Sequence, residues 1–362
     1  MSTPQPGQTK RSGAKRGHTA PVRFEAVGVT DIGRQRKHNE DHVLLRPELD
    51  LFVVADGMGG HNAGDVASKL ATASLRNFYE ATVEGPVPEG VLSEGYNDLS
   101  PDARRLAAAI RKANRDVFEI SSTYRQHHGM GSTVVAAYLV RSRGMMHVGH
   151  VGDSRCYRFR YGELVQLTHD HSLVNDALAL KPDLTPEELA RLPKNIITRA
   201  LGMREDVKVD IRSEEVVEGD IFLLCSDGLS GMVDEEEMAR VLGGIYAIEG
   251  ADLREACESL VSLANEAGGN DNITALLIRI EGRDGDGQEP DANTDVSPAP
   301  SETDGDGPEV SAAPVRMNTD EIEAVAAEER ASGLVICPAC DAEVVADNDF
   351  CTECGASLTG DA

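Results

Sequence analysis

The sequence predicts a layered α+β domain built on largely antiparallel sheets. Four continuous apolar runs have the length of a strand and are bounded by turn residues, and they read LFVVA, STVVAAYLV, IFLLC and NITALLIRI. Two further segments repeat apolar residues at the spacing of one helix face. Because the predicted strands come in neighbouring groups and do not alternate regularly with helices, the pattern favours this class over a doubly wound sheet.

Helices are predicted in three places. One amphipathic segment has apolar side chains spaced four or three residues apart, at Leu106, Ile110, Ala113, Val117 and Ile120. A second segment has the same spacing at Leu253, Cys257, Leu260 and Ala264. Together with the segment 63–81, these helices are expected to cover the faces of the sheets.

The stretch MHVGHVGDSRCYRFRYGELVQL contains two alternating segments on either side of Gly152, Asp153 and Ser154. A short turn of this type between two alternating segments is typical of a β-hairpin. The sequence therefore predicts that the two strands pair with each other.

The composition allows one sizeable domain with appended segments. The chain has 362 residues, of which 40% are hydrophobic. Its formal net charge of -27, from 35 basic and 62 acidic side chains, argues against nucleic acid or an anionic membrane as a partner. No apolar run reaches the roughly 18 residues of a membrane span, and the N-terminus lacks the apolar core of a signal peptide. We therefore expect a cytoplasmic protein.

Composition divides the chain into four segments. Residues 1–22 are rich in Gly, Pro, Ser, Thr, Lys and Arg, which predicts a flexible basic tail. Residues 23–282 carry the predicted strands and helices. Residues 283–332 hold 14 acidic and 3 basic side chains, which predicts a disordered acidic linker. Residues 333–358 form a small unit that contains four of the seven cysteines.

Acidic residues lie at the ends of several apolar runs. A single Asp-Gly pair after a strand is usually a turn, because glycine tolerates positive φ and aspartate caps local amides. Here the pattern recurs, and sheet packing would gather the strand ends at one edge of the core. The acidic residues concerned are Glu40, Asp41, Asp56, Asp153, Asp227 and Asp271.

Such a group of carboxylates predicts a metal centre. Like charges a few Å apart repel strongly in a partly desolvated site, so cations are needed to keep them ionised. Oxygen donors without histidine or cysteine select Mg²⁺ or Mn²⁺ over Zn²⁺. Two such ions can activate water and neutralise a phosphoryl group, which predicts an anionic substrate. Arg36 is the best-placed guanidinium to bind phosphate oxygens, and the alternative is a solvated loop arginine.

Eight motifs carry a resemblance to a known family. RKHNED, VVADGMGGHNAGDVAS, GMGSTVVAAYL, HVGDSR, LTHDHSL, ITRALG, LLCSDGL and GNDNIT follow the order of the metal-dependent serine/threonine protein phosphatases of the PPM (PP2C-like) family. The chain resembles that family over about residues 23–280. The resemblance implies a four-layer α-β-β-α sandwich of two antiparallel sheets. It also implies two Mn²⁺ or Mg²⁺ ions at one edge, and a third ion as in many bacterial members.

The resemblance also implies roles for individual residues. Asp56 would bridge the two ions, and Gly57 would offer its carbonyl oxygen. Asp227 and Asp271 would complete this centre. The remaining matches are Glu40 and Asp41, which would hold water molecules or an ion directly, Asp153, which would share a third ion with Asp227, and Arg36, which would bind the phosphate.

One part of the motif pattern departs from eukaryotic relatives. Those members place a histidine, proposed as the general acid, directly after the Asp-Gly pair, whereas this chain has Met58 there, as is usual in the bacterial type. His61 lies nearby and could protonate the leaving alkoxide, and the alternative is that it supports a metal ligand or caps the helix. Residues 168–205 correspond to the flap, a segment beside the site that is thought to influence substrate choice.

The C-terminal cysteines form two CxxC pairs separated by ten residues. Four thiolates in this arrangement make a closed tetrahedral site for one structural Zn²⁺, which can fold a unit this small. The unit resembles a short zinc ribbon with a binding or structural role, for which a protein partner is one of the open alternatives. Redox-active pairs are the alternative to a zinc site. The cysteines are Cys337, Cys340, Cys351 and Cys354. Cys156, Cys225 and Cys257 lie in apolar context and are expected in the core.

Three functions compete at this level. The first is a protein phosphatase that hydrolyses phosphoserine and phosphothreonine by direct attack of a water, with phosphorylated proteins and a serine/threonine kinase as partners. The second is a non-catalytic phosphoprotein-binding regulator, which would be expected to have lost ligand acids. The third is hydrolysis of a small phosphoester. The acids are all present, which favours catalysis.

Overall fold

The computed structural model describes residues 20–283, except 61–62, 84, 89, 93, 190, 194–195 and 249, together with two strands at 334–336 and 343–345. The chain divides into two units, Met1–Asn293 and Thr294–Ala362. In its described part the larger unit is an α+β sandwich of two antiparallel sheets with helices, as predicted.

The sheets of the larger unit are built from eleven described strands. These are β1 (Val22–Asp31), β2 (Asp41–Arg46), β3 (Leu51–Met58), β4 (Gly131–Ser132), β5 (Val134–Val140), β6 (Met145–Val151), β7 (Arg155–Arg160), β8 (Glu163–Gln166), β9 (Asp210–Glu215), β10 (Ile221–Cys225) and β11 (Ile273–Arg283). One sheet has the order β1-β11-β10-β7-β8, and the other has the order β2-β3-β5-β6-β9 with β4 paired to β3. The four apolar runs are confirmed as β3, β5, β10 and β11.

Seven described helices accompany the sheets. These are α1 (Ala63–Thr82), α2 (Pro101–Thr123), α3 (Leu173–Leu180), α4 (Pro186–Leu189), α5 (Asp227–Ser230), α6 (Glu235–Ala247) and α7 (Leu253–Glu266). All three predicted helices are confirmed, as α1, α2 and α7. The start of α2 is set by Ser100, whose hydroxyl accepts from the amide of Ala103, and by Pro101, whose missing N–H is not needed there.

The core follows the alternation of side chains along each strand. Phe52 and Val54 of β3 lie in one buried cluster with Phe222 and Leu224 of β10, so the inner faces of the sheets pack on each other. The intervening residues face outward. On β3 they pack with α1 and α2, and on β10 and β11 they pack with α6 and α7. This gives the α-β-β-α layer order.

The predicted hairpin around Asp153 is wrong. β6 pairs with β5 and β9, whereas β7 pairs with β10 and β8. The connection at Gly152–Ser154 therefore crosses from one sheet to the other. Alternation showed that both segments are strands, but in a sandwich two consecutive strands can belong to different layers.

Cys156, Cys225 and Cys257 are free and buried, as expected. Within the described residues, no helix is both long and apolar enough to cross a membrane. The smaller unit contains β12 (Leu334–Ile336) and β13 (Glu343–Val345), which form an antiparallel pair. The four C-terminal cysteines and His61 lie outside the described residues.

Candidate metal centre

Strand ends bring the predicted acids to one edge of the sandwich. Asp41 opens β2 and Asp56 lies near the end of β3, and the two are direct partners in the antiparallel ladder. Two like charges in such a position destabilise a sheet. The placement of Asp41 and Asp56 opposite each other therefore indicates a functional role and not a contribution to the stability of the sheet.

The other sheet supplies three more acids at the same edge. β10 and β11 are antiparallel, so Asp227 after β10 and Asp271 before β11 lie at matching ends. Asp153 occupies the crossover before β7, which also pairs with β10. We call Asp41, Asp56, Asp153, Asp227 and Asp271 the acidic cluster.

Asp56 lies at the centre of the acidic cluster. Desolvation raises the pKa of its carboxyl well above the ordinary value, and the negative charges of the other four members raise it further. Each of the other four acids is therefore close enough to repel Asp56. Glu40 lies to one side, where desolvation raises its pKa while Arg36 and the Gly64 amide oppose the shift.

Asp41 has one occupied and one open oxygen. Its Oδ2 accepts hydrogen bonds from Ser226 Oγ at 2.6 Å and Thr274 Oγ1 at 2.7 Å. Its Oδ1 is buried and has no hydrogen-bond partner. Desolvation, with Asp227 and Asp271 adding repulsion, raises the pKa of Asp41 to about 7. The hydroxyls therefore satisfy one oxygen of the carboxylate and leave the other open.

Asp153 and Asp227 show the same pattern. Each has a buried Oδ1 without a hydrogen-bond partner. Desolvation and the charge of Asp227 raise the pKa of Asp153 to about 7. Desolvation and the charge of Asp271 raise the pKa of Asp227. Buried polar oxygens are almost always satisfied in native proteins, so three open oxygens at one edge require an explanation.

Gly57 lies where the backbone passes closest to its neighbours. A Cβ at this position would lie 1.9 Å from the carbonyl oxygen of Gly64, so no larger residue fits. The Gly57 amide donates to the carbonyl of Glu40 at 3.1 Å. This contact ties the predicted carbonyl ligand to the segment that carries Glu40 and Asp41.

Arg36 lies at the rim of the acidic cluster. Its side chain is 47% exposed, and Nη2 is 2.6 Å from Asp271 Oδ2. The structure therefore brings the predicted phosphate-binding group next to a predicted ligand, from positions 235 residues apart in sequence. The guanidinium is accessible to an anion at the same edge.

Several polar residues that support the acids were missed by sequence reasoning. Thr133 Oγ1 accepts from the Asp56 amide at 3.2 Å and lies 2.6 Å from Ser154 Oγ. Asn272 Oδ1 accepts from the Glu40 amide at 2.8 Å. Ser226 and Thr274, which bond Asp41, complete this set. For all of these except Thr133, adjacency to the acids in CSDG, GDS and NDNIT was the only available signal.

The family of the chain is shown by a match to a protein-family model that covers most of the larger unit. A model of the family described as Protein phosphatase 2C matches residues 33–272. The chain belongs to this family. Its acidic cluster lies within the matched region.

The similarity to curated relatives covers about the same part of this protein phosphatase 2C chain. The serine/threonine phosphatase stp of Listeria monocytogenes serotype 4b is 38% identical over 253 residues, which is 69% of this chain and 93% of that protein. The protein phosphatase PhpP of Streptococcus pneumoniae is 33% identical over 260 residues, covering 71% of this chain and 97% of the relative.

Solved protein phosphatase 2C structures share the fold. The Mycobacterium tuberculosis serine/threonine phosphatase PstP/Ppp has a TM-score of 0.59 and 32% identity, over 72% of this chain and 99% of that chain. A structure of the PstP catalytic domain in complex with two manganese ions has a TM-score of 0.58 and 33% identity, over 72% and 99% of the two chains.

The atoms of the acidic cluster suit a divalent cation on their own chemistry. Three buried oxygens lack hydrogen-bond partners, and the carboxyls that carry them have raised pKa values. A cation would satisfy these oxygens and relieve the repulsion. Because every donor is an oxygen, Mg²⁺ or Mn²⁺ fits better than Zn²⁺.

Proposed function

We propose that this protein phosphatase 2C chain is a metal-dependent serine/threonine phosphatase that hydrolyses phosphoserine and phosphothreonine in proteins. The observation that carries the proposal is the set of buried, unpartnered carboxylate oxygens on Asp41, Asp153 and Asp227. The family match and the names of the relatives support the reaction class. A regulator without catalysis would have no need to keep these acids together.

The proposal assigns Mn²⁺ or Mg²⁺ to the acidic cluster. Two ions would be held by Asp56, the Gly57 carbonyl, Asp227 and Asp271, with help from Glu40 and Asp41, and a third by Asp153 and Asp227. When bound, the ions supply Lewis-acid chemistry, since they lower the pKa of water and offset phosphoryl charge.

Arg36 would orient the substrate. Its guanidinium already lies beside the acidic cluster, where Asp271 accepts one of its N–H groups at 2.6 Å. An incoming phosphate would accept from the remaining donors in a bidentate manner. Asp271 would thus aim the guanidinium, and the phosphorus atom would lie between Arg36 and the acids.

We assign the general-acid role, the protonation of the leaving alkoxide, to none of the side chains that the structure describes. Met58, at the position where eukaryotic relatives place a histidine, ends β3, and it has no titratable group. The general-acid role of His61 therefore stays a prediction. A His61→Gln variant that keeps full turnover would remove it from the mechanism.

The proposal is tested by phosphate release from a phosphothreonine peptide with the full chain and Mn²⁺. Excess chelator and Asp56→Asn should each abolish turnover. Asp234→Asn is the matched control, because Asp234 caps α6 through the Glu237 amide and asparagine caps equally well. A folded protein that releases no phosphate with Mn²⁺ contradicts the proposal. Activity on a small aryl phosphate alone would favour the small-phosphoester alternative.

We also propose that the four C-terminal cysteines bind one structural Zn²⁺. In support, β12 and β13 form a hairpin whose connection contains Cys337 and Cys340 in sequence, as expected of a CxxC knuckle. Metal analysis should find about one Zn²⁺ per chain, lost on deletion of residues 333–362 without loss of turnover. An unchanged zinc content after deletion would contradict this assignment.

The remaining predictions concern organisation and partners. We keep the segments 1–22, 23–282, 283–332 and 333–358 as the proposed divisions of the chain, and residues 168–205 as the flap. Phosphorylated proteins, including a serine/threonine kinase, are the proposed substrates. A protein partner for the zinc unit and a cytoplasmic location stay predictions.

A further inference from the structure

His171 binds Gly152, the residue that precedes Asp153 of the acidic cluster. Its amide donates to the Gly152 carbonyl at 2.9 Å. The Gly152 amide in turn donates to His171 Nδ1 at 3.0 Å. The His171 residue is buried, with 4% exposure. One histidine therefore fixes both backbone groups of the residue that precedes a proposed metal ligand.

The His171 ring also contacts the first residue of β9 and an arginine of the segment 168–205. A backbone amide can only donate, so Nδ1 accepts from Gly152. Nε2 lies 3.1 Å from Asp210 Oδ2 and 2.8 Å from Arg199 Nη1. Arg199 Nη1 also lies 3.4 Å from the other oxygen of Asp210. The ring thus connects Gly152 to the first residue of β9.

His171 is also where the two ends of the flap meet. It lies near the start of the segment 168–205, and its carbonyl accepts from the Thr198 amide, near the end of that segment, at 2.9 Å. The neighbouring Ser172 forms a β-bridge with Ile197. We call residues 171–172 and 197–198 the flap base. A movement of these residues would therefore displace His171.

Gly152 has little freedom to absorb such a movement. Its φ is +112°, and a Cβ would lie 2.6 Å from Thr133 Cβ. Thr133 accepts from the Asp56 amide at 3.2 Å. Gly152 is thus held between His171 and Thr133, and a displacement at His171 reaches Asp153 directly and Asp56 through one further residue.

A metal site at His150, His171 and Asp210 is the alternative use of this group, since one donor atom from each lies within 4.8 Å of the others. The ring geometry argues against it. The two histidine rings are stacked, with centroids 4.7 Å apart and planes 13° from parallel. Nitrogen lone pairs lie in the ring planes, so they cannot converge on one ion. His150 Nε2 also donates to the His169 carbonyl at 2.9 Å.

We propose that His171 is a positioning residue for Asp153, and that it couples cation binding at Asp153 to the base of the flap. The inference rests on the proposed function, since it takes Asp153 as a ligand. By linkage, a cation that binds Asp153 should order the flap base, and a change at the flap base should alter the affinity for the cation.

The test uses two substitutions of His171 in the full-length enzyme. His171→Phe keeps a ring but leaves the Gly152 amide without an acceptor. His171→Asn keeps an acceptor one bond from Cγ, where Nδ1 was, and loses the link to Asp210. Calorimetric titration with Mn²⁺ should show at least one binding step weakened about 10-fold or more in the Phe variant, as for other residues that orient ligands. The Asn variant should bind within about threefold of the wild type.

Hydrogen exchange of the flap amides tests the coupling itself. Mn²⁺ should slow exchange within residues 168–205 in the wild type, and this protection should be lost in His171→Phe and kept in His171→Asn, which retains an acceptor for the Gly152 amide. His147→Asn is the control, because His147 is also buried, at 3% exposure, and its ring also contacts β9, through Ser213 Oγ at 2.8 Å. It should change neither measurement.

Asp153→Asn separates this inference from the proposed function. If that variant binds as many Mn²⁺ ions as the wild type, the ligand assignment fails. If it loses one ion while His171→Phe binds Mn²⁺ normally, the positioning role is overturned. Equal flap protection by Mn²⁺ in the wild type and in folded His171→Phe would overturn the coupling.

Discussion

Strand β10 carries an aspartate at each end, and the two have opposite surroundings. Asp220 precedes the strand with 0% exposure, and both its oxygens accept from Arg160, from Nε and Nη2, at 2.6 Å. Val217 donates a further backbone hydrogen bond at 2.9 Å. Asp227 follows the strand, and its Oδ1 is buried without a partner among other carboxylates.

The comparison separates two uses of a buried acid. A carboxylate that is buried with an arginine and backbone donors has its charge compensated within the chain. Asp170, which is buried, likewise has its charge compensated by an arginine, Arg155. A carboxylate buried beside other acids has a deficit of positive charge. The lack of a compensating positive charge, and not burial itself, therefore distinguishes Asp227 from Asp220 and indicates a functional site.

The largest expected effect comes from removing the charge of Asp227. Asp227→Asn should lower phosphatase turnover with Mn²⁺ by more than about 100-fold, because it removes a proposed ligand and not merely an outer contact. The metal-free protein should be as stable as the wild type or more so, since a repulsion is lost. Turnover assays and urea unfolding measure the two effects. A marked loss of metal-free stability would mean that Asp227 is structural, like Asp220.

The stabilisation of the fold by a bound cation should depend on Asp227, at the end of β10, and not on Asp220, at its start. At 100 times its Kd, Mn²⁺ should raise the free energy of unfolding of the wild type by about 2.7 kcal/mol. Asp220→Asn should keep this increment and Asp227→Asn should lose most of it. Thermal or urea unfolding with and without Mn²⁺ gives the values, and an equal increment in both variants would break the comparison.

Asp220→Asn should act on stability alone. The change leaves Arg160 without a full counter-charge and should lower the free energy of unfolding by about 2 kcal/mol. This is less than for a fully buried pair, because the Arg160 side chain is 23% exposed. Turnover per folded molecule should stay at the wild-type level. Reduced turnover in fully folded protein would contradict the division between the two ends.

The smallest expected effect is the change with pH in the free energy of unfolding of the metal-free protein. Burial and Asp227 raise the pKa of Asp153 from 3.8 to about 7, so between these values the folded state binds a proton that the unfolded state releases. The associated stability is present below pH 4 and lost as the pH rises through 7.

Asp153→Asn cannot ionise and should escape this loss. Its stability relative to the wild type should therefore rise between pH 6 and pH 8 by about 1.4 kcal/mol, which is the value for one pH unit below the folded-state pKa. Urea unfolding at the two pH values in chelator gives the difference. A constant difference would show that the Asp153 carboxyl is not shifted.

The strands and the positions of the acids could be predicted because both depend on local pattern. Apolar period shows where β3 and β10 end, and antiparallel pairing brings such ends to one edge. The acids at those ends then follow. The assignment of strands to sheets could not be predicted this way, which is why the hairpin around Asp153 was wrong.

The supporting polar groups depend on register and were therefore missed. Ser226 and Thr274 bond Asp41 from positions 185 and 233 residues away in sequence. Nothing local to either hydroxyl indicates that partner. The same holds for His171, because nothing local to its motif indicates the contact with Gly152.

The two hydroxyls on Asp41 have a consequence for the choice of ion. They occupy one carboxylate oxygen, so Asp41 can offer only the other and would bind any cation in a monodentate manner. Ca²⁺ takes six to eight oxygens and often uses bidentate carboxylates, whereas Mg²⁺ requires a compact octahedron. By limiting denticity at this corner, Ser226 and Thr274 should make the centre discriminate against the larger ion.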